Sequence, residues 1–241
     1  MKVGILYICT GKYSSFWNGF YDSCEKFFLK TAEKHYYVWT DNEEIINLGK
    51  SHDNIHVFFQ EVEPWPFPTL RRYRYFVEQK QELFKMDYLI FMNSNLVVQK
   101  KIDSRDILPR DDERLFVTMS PGPFDRAPVL FSYDRNPECS AFIAEGEGKF
   151  YFAGGFNGGY SKDFIELAEV IANRTEKDYE KGIIALWHDE SQLNRYMLDY
   201  DKKYRIVSPA YLFPEGSNLP FECKILILDK RKLGGHESLR G

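Results

Sequence analysis

Four stretches of the chain hold side chains that could do chemistry. WHDESQLNRY, residues 187–196, sets His188, Asp189 and Glu190 side by side. An imidazole and two carboxylates at a pocket can move protons or attack an electrophilic carbon. The plainer reading is a helix start, because Asp189 followed by Gln192 fits a capping box. A lone His beside Trp is more often structural than catalytic, and no second His stands at metal-ligand spacing, so no zinc site is expected. AGGFNGGY, residues 153–160, reads locally as a tight hairpin that needs glycine for positive φ. Its functional alternative is close approach of a ligand ring to the backbone at Gly154 and Gly155. Asn93-Ser94-Asn95 is either a turn, since Asn tolerates left-handed backbone, or a metal-binding pair whose carboxylates have become amides. The basic tail DKRKLGGHESLRG, residues 229–241, is either a solvated, mobile end or a lid whose Lys230 and Arg240 close over phosphates. There is no GxGxxG or Walker A loop and no GxSxG elbow.

The elements that must position these residues follow from hydrophobic patterning. Val3 to Cys9 reads as a buried strand, and Ser14 can cap a helix carrying Phe16, Phe20, Cys24, Phe27 and Phe28 on its apolar face. His35 to Trp39 and Ile55 to Phe59 read as further strands. Pro64, Pro66 and Pro68 make a stiff loop around Trp65. A helix is expected from Thr69 to Phe84, then a strand over 88–92. This β-α-β-β-α-β order indicates an α/β fold with a largely parallel sheet. Such sheets bind ligands at the carboxyl ends of their strands, so Thr10 to Tyr13 and Asn93 to Asn95 should share one rim. Farther on, Leu115 to Met119 is a strand candidate and residues 120–138 are loop-rich. An amphipathic helix runs from about Asp163 to Thr175. Another starts near His188, and late strands are expected at Ile206-Val207 and Lys224 to Leu228. One domain over 1–241 is the simplest organisation: 1–98 a half carrying the expected nucleotide rim, 99–228 a less regular half, 229–241 the tail.

Bulk properties narrow the function classes. The 241 residues are 44% apolar and 28% charged, which fits a globular protein. A net charge of −4 argues against a nucleic-acid binder. Aromatics reach 17%, enough to line a groove for a flat polar ligand as well as to fill a core. Cys9, Cys24, Cys139 and Cys223 are scattered, which favours reduced thiols and a cytoplasmic location. MKVGILYICTG is too short for a signal peptide. No apolar run approaches the roughly 18 residues of a membrane helix.

Taken together, HYYVWTD (35–41), Leu70-Arg71-Arg72, DYLIFMNSN (87–95), Pro121-Gly122, YFAGGFNGG (151–159), WHDES-LN-Y (187–196) and SPAYL (208–212) resemble glycosyltransferase family 6. That family holds the blood-group A and B transferases, the α-1,3-galactosyltransferases and bacterial relatives. The resemblance implies a GT-A fold. It also implies transfer of galactose or N-acetylgalactosamine from a UDP-sugar, with retention, to the 3-hydroxyl of a galactose that is often fucosylated. It assigns the uridine to Ile8, Cys9, Thr10 and Tyr13. Arg72, Asn93, Asn95 and Asp189 should touch the donor, and Glu190 should be the catalytic carboxylate beneath the anomeric carbon. Trp187, His188 and Ser132 fall on the acceptor side, and Lys230 and Arg240 on the diphosphate. Ala153 and Gly155 match the positions that separate A from B donor specificity. Small residues there, flanking Gly154, favour UDP-N-acetylgalactosamine over UDP-galactose.

Two departures shape the expectation. Mammalian members carry Asp-x-Asp where this chain has Asn93-Ser94-Asn95, and neutral amides are poor ligands for a hard divalent cation. No metal cofactor is therefore expected. Lys230, Arg240 and Arg72, with Arg231 or Lys232, are the candidates to neutralise the departing UDP, as implied also by bacterial members of the Asn-x-Asn type. Ser120 stands where the family has a His that contacts the acceptor, so the acceptor is expected to differ from the blood-group type. Without a membrane anchor, a bacterial cytoplasmic enzyme acting on a lipid-linked or soluble glycan is expected. The alternatives are a galactosyltransferase and a non-catalytic UDP-sugar or glycan-binding module.

Overall fold

A computed structural model describes residues 1–240, the side chains of His236, Glu237 and Arg240 excepted. Its strands are β1 (Lys2–Ile8), β2 (Glu33–Thr40), β3 (Ile55–Phe59), β4 (Tyr88–Met92), β5 (Leu96–Val98), β6 (Leu115–Met119), β7 (Phe152–Tyr160), β8 (Tyr204–Val207), β9 (Phe213–Pro214) and β10 (Ile225–Ile227). Its helices are α1 (Trp17–Phe27), α2 (Glu43–Ser51), α3 (Phe67–Leu70), α4 (Arg72–Glu78), α5 (Lys80–Leu83), α6 (Ser104–Ile107), α7 (Ser161–Glu180), α8 (Asp189–Asp199) and α9 (Gly235–Arg240). The main sheet runs β3-β2-β1-β4-β7-β6-β8, and β7 alone lies antiparallel to its neighbours. A small second sheet, β5-β10-β9, joins the strand after the NSN turn to the segment before the tail.

The period-2 alternation of the strands builds two cores. Val3, Ile5, Tyr7, Tyr36, Val38, Ile90 and Met92 pack with Trp17, Phe20 and Cys24 of α1 on one face. Leu6, Tyr37, Trp39, Leu89 and Phe91 pack with α4 and with Phe164, Leu167, Ala168 and Ile171 of α7 on the other. The inner strands are therefore apolar on both sides, as a covered parallel sheet requires. None of the helices is long and apolar enough to cross a membrane among the described residues.

Several local expectations are corrected. AGGFNGGY is not a hairpin: it is the body of β7, and none of its four glycines has positive φ. The glycines serve close packing instead. A Cβ on Gly158 would fall inside contact distance of the Leu89 carbonyl and 2.8 Å from the Phe116 ring. The helix expected over Thr69 to Phe84 is three short helices, interrupted at Arg71 and Gln79, where ψ rises to 4° and 15°. The first break sends neighbouring arginines apart. Arg71 pairs outward with Glu63, and Arg72 is buried. α2 was not anticipated, although Asn42 caps it by accepting from the Ile45 N–H at 3.1 Å and Glu43-Glu44 suit its first turn. Ser14 lies inside a 3-10 turn, Gly11–Phe16, and α1 begins only at Trp17. The segment expected as a mobile tail packs against that turn. Lys12 Nζ donates to the Ser238 carbonyl at 2.8 Å, and Leu239 is buried.

Two glycine substitutions should move stability in opposite directions. Gly158→Ala forces a backbone shift and is expected to cost about 1–3 kcal/mol, lowering Tm by several degrees. Gly19→Ala, in α1 with open space around the added methyl, should gain about 0.5–1 kcal/mol. Thermal unfolding of both variants checks the pair.

Candidate active site

A cavity of about 410 Å³ opens at the carboxyl ends of β1 and β4, the rim expected for a sheet of this kind. Ile8, Thr10 and Tyr13 line it from the end of β1, and Asn93, Ser94 and Asn95 from the end of β4. Gly154 and Gly155 come from β7, and Trp187 to Glu190 from the start of α8. Arg72 and Lys230 complete its charged lining.

The site is made by an irregularity in β7. Pairing with β6 jumps from Val117↔Asn157 to Thr118↔Ala153, which leaves residues 154–156 out of that ladder. Their backbone groups still need partners. The Gly154 N–H donates to Glu190 Oε2 at 2.9 Å, and the Gly155 carbonyl accepts from the Asn93 N–H at 2.9 Å. The Asn157 amide donates to the Gly154 carbonyl, and the Thr118 hydroxyl to the Phe156 carbonyl. Asn194 of α8 pins the start of this strand, accepting from the Phe152 N–H and donating to its carbonyl.

α8 begins without the expected capping box. His188 sits at the N-cap with φ 51°, and its side chain does not cap. Asp189 turns instead into a buried ion pair: its Oδ2 lies 3.1 Å from Arg72 Nη1. Arg72 also donates to Asn93 Oδ1 at 3.3 Å and covers the Phe91 ring. Burial pushes the Asp189 carboxyl up, and Arg72 pulls it back down. Arg72 Nε is buried without a hydrogen-bond partner among the described residues, and Asp189 Oδ2 meets Arg72 as an ion pair without hydrogen-bond geometry.

Glu190 is held at both oxygens, Oε1 by the Tyr151 hydroxyl at 2.9 Å and Oε2 by Gly154. Burial pushes its carboxyl from 4.5 up to about 7, against the pull of these two donors. A half-buried carboxylate near neutrality at a cavity wall is suited to act on a developing cation or a proton.

The amide pair has work of its own. Asn95 is buried; its Nδ2 donates to the Leu228 carbonyl at 2.9 Å, and its backbone carbonyl accepts from the Leu228 N–H at 2.8 Å. Asn93 Oδ1 is engaged by Arg72. Among the described residues no three His, Cys, Asp or Glu side chains group as metal ligands. Neutral amides are poor ligands for a hard divalent cation, and the neighbouring Asp189 carboxylate is already paired with Arg72.

Most residues expected at a site converge here, and some do not. Cys9 is fully buried on the α1 face, because strand alternation turns it away from its neighbours Ile8 and Thr10. Ala153 packs in the same core, so Gly155 and not Ala153 lines the cavity. Neither Ser120 nor Ser132 lines the cavity: the Ser120 N–H donates to the Tyr151 carbonyl, and Ser132 is exposed on the following loop. Arg231 pairs with Asp229 and Lys232 with Glu215, so neither is directed to the cavity. The Arg240 side chain lies outside the described residues. Lys230 Nζ sits 5.0 Å from the Tyr13 ring centre. Trp65, from the proline loop, meets His188 edge-on at 5.0 Å and lines the cavity with Thr69 and Leu239. Sequence reasoning gave none of these three a role, nor Tyr151, although the proline loop and the YFAGGFNGG motif both stood out.

The raised value at Glu190 has a stability consequence. A folded value above the unfolded one means the contribution is complete below about 4.5 and is lost as pH rises through about 7. Glu190→Gln removes that loss. The Tm difference, variant minus wild type, is expected to be larger near pH 8 than near pH 5, read by thermal unfolding at both.

Comparison with known proteins meets this geometry. Residues 1–235 match glycosyltransferase family 6. The chain is 33% identical to the O-antigen biosynthesis glycosyltransferase WbnI of Escherichia coli, over 96% of each chain. It is 27% identical to globoside α-1,3-N-acetylgalactosaminyltransferase 1 of Gallus gallus, over 94% of this chain and 66% of that one. It is 31% identical to histo-blood group ABO system transferase 1 of Rattus norvegicus, over 79% of this chain and 57% of that one. The chain thus spans nearly all of the bacterial relative and less than two thirds of the two animal ones. By sequence across its length and by its mixed α/β architecture of GT-A type, this chain belongs to glycosyltransferase family 6.

Proposed function

We propose that this transferase moves N-acetylgalactosamine from UDP-N-acetylgalactosamine, in α-1,3 linkage and with retention, to a galactose-containing acceptor, without a metal. The carrying observation is Glu190, a carboxylate at the cavity wall with both oxygens steadied by donors, next to the buried Arg72–Asp189 pair. In a retaining transfer the bond from the anomeric carbon to UDP breaks and positive charge develops on the sugar. A carboxylate on the opposite face stabilises that charge or bonds to it. Ile8, Thr10 and Tyr13 would hold the uridine. Asp189 would take a hydroxyl of the donor sugar, with Arg72 opposing the upward push of burial on its carboxyl. Trp187, half exposed at the mouth, offers a flat apolar face to the acceptor galactose.

The departing diphosphate needs positive charge, and fixed cationic side chains can supply what a metal would. Lys230 lines the cavity and Arg72 is buried beside it, and Arg240 is the further candidate. The neutral amides of the NSN turn, with Asn93 Oδ1 already taken by Arg72, favour a metal-free arrangement. Gly155 lines the cavity with the Asn93 amide packed where a Cβ would stand, so the donor assignment rests on a named relative and not on free space at this glycine. The Gallus gallus relative, named for α-1,3-N-acetylgalactosaminyl transfer, supports both donor and linkage.

The test is UDP release from UDP-N-acetylgalactosamine with a fucosylated galactose acceptor in excess EDTA. Full activity in EDTA is expected. Activity restored only by manganese would sink the metal-free mechanism, a clear preference for UDP-galactose would sink the donor assignment, and binding without turnover would point to a glycan-binding module. Glu190→Gln should lower kcat by at least about 100-fold and leave the UDP Kd within twofold by calorimetry. The wild-type rate should fall as pH drops below about 7, where Glu190 takes up its proton.

A further inference from the structure

We infer that Tyr151 is a positioning residue for the reaction, its hydroxyl fixing the orientation of the Glu190 carboxylate and holding it as the anion. This rests on Glu190 being the catalytic carboxylate. Tyr151 is buried, and its hydroxyl reaches Glu190 Oε1 at 2.9 Å across 39 residues of sequence. Burial and the nearby Glu190 push its own ionisation far up, so the phenol keeps its proton and donates. With Gly154 on the other oxygen, the carboxylate cannot rotate without losing a bond.

The ring is seated as well. Tyr133 and Phe131 lie 5.5 and 6.0 Å from it, and Ile143 closes the cluster. The Tyr133 hydroxyl is committed elsewhere, to the Phe150 carbonyl at 2.6 Å. This small core has no part in the main sheet packing. It seats the Tyr151 hydroxyl 2.9 Å from Glu190 Oε1, with the Ser132 carbonyl a longer second acceptor at 3.5 Å. The other charged or titratable groups around Glu190 are Asp189 and His188 on its own element, Arg72 and Tyr73 from α4, and Lys230 across the cavity. Tyr151 is the side chain that donates a hydrogen bond to Glu190 among the described residues.

Tyr151→Phe keeps the ring and deletes the hydroxyl. Losing a donor to the anion should move the acid limb of the kcat profile up by about one pH unit and lower kcat at neutral pH roughly tenfold. KM for the donor should stay within twofold. Tyr133→Phe, which loses a bond of similar burial next to it, should lower Tm without moving the limb. If Tyr151→Phe fails to fold, 3-fluorotyrosine placed at 151 alone serves instead: a stronger donor should move the limb down. An unmoved limb in a folded variant, or equal shifts for positions 133 and 151, overturns the inference. If Glu190→Gln itself retains near-normal turnover, the proposed function fails; if that variant is inactive while Tyr151→Phe behaves as wild type, only the present inference fails.

Discussion

The site depends on three residues that leave a β ladder. At 154–156, β7 stops pairing with β6, although it remains bonded to β4 at Phe156. Buried amide groups released in this way must find other partners or cost roughly 1–3 kcal/mol each. Here the partners are Glu190, Asn93, Asn157 and Thr118. One backbone irregularity thus ties the NSN turn, the start of α8 and the middle of the sheet into one unit. Gly155 is required for that closeness, since a Cβ there would lie 2.8 Å from Asn93 Nδ2. The glycine at 155 is what admits the asparagine side chain against β7.

Electrostatics constrain the same corner. Asp189 and Glu190 occupy the first turn of α8, where exposed N–H groups favour negative charge. Two adjacent carboxylates with little solvent still repel, and the fold separates their tasks. Asp189 is buried against Arg72 and Glu190 is steadied by neutral donors. The pair is asymmetric: one acid is locked to a cation, and the other is left near neutrality. That asymmetry is the usual way two neighbouring acids acquire different roles.

The amides of the NSN turn gain meaning from their partners. Asn95 donates to Leu228, two residues before Lys230, and so ties the turn to the segment that delivers a cavity lysine. A carboxylate cannot make that donation, because the ionised form only accepts. An amide at this position makes a bond that an ionised carboxylate could not.

Much of the framework was legible in the residues. The strands at 55–59, 88–92 and 115–119 follow from apolar runs bounded by turn residues, and the shared rim of Thr10 and Asn93 follows from the parallel order. Asp189 and Glu190 were legible as paired carboxylates at a helix start, because adjacency is a property of sequence. Their partners were not. Tyr151 and Gly154 stand 39 and 36 residues before Glu190, and Arg72 meets Asp189 only after the expected helix breaks at Arg71. The glycines of β7 misled local reasoning, since a run of glycine signals a turn when its neighbours are unknown and a crowded strand once Leu89 and Phe116 are beside it. Sequence by itself determined which chemical groups are present, their periodicity and hence the α/β class. Tertiary structure alone decided which of those groups meet, because a register jump and a broken helix are set by long-range packing that no local window contains.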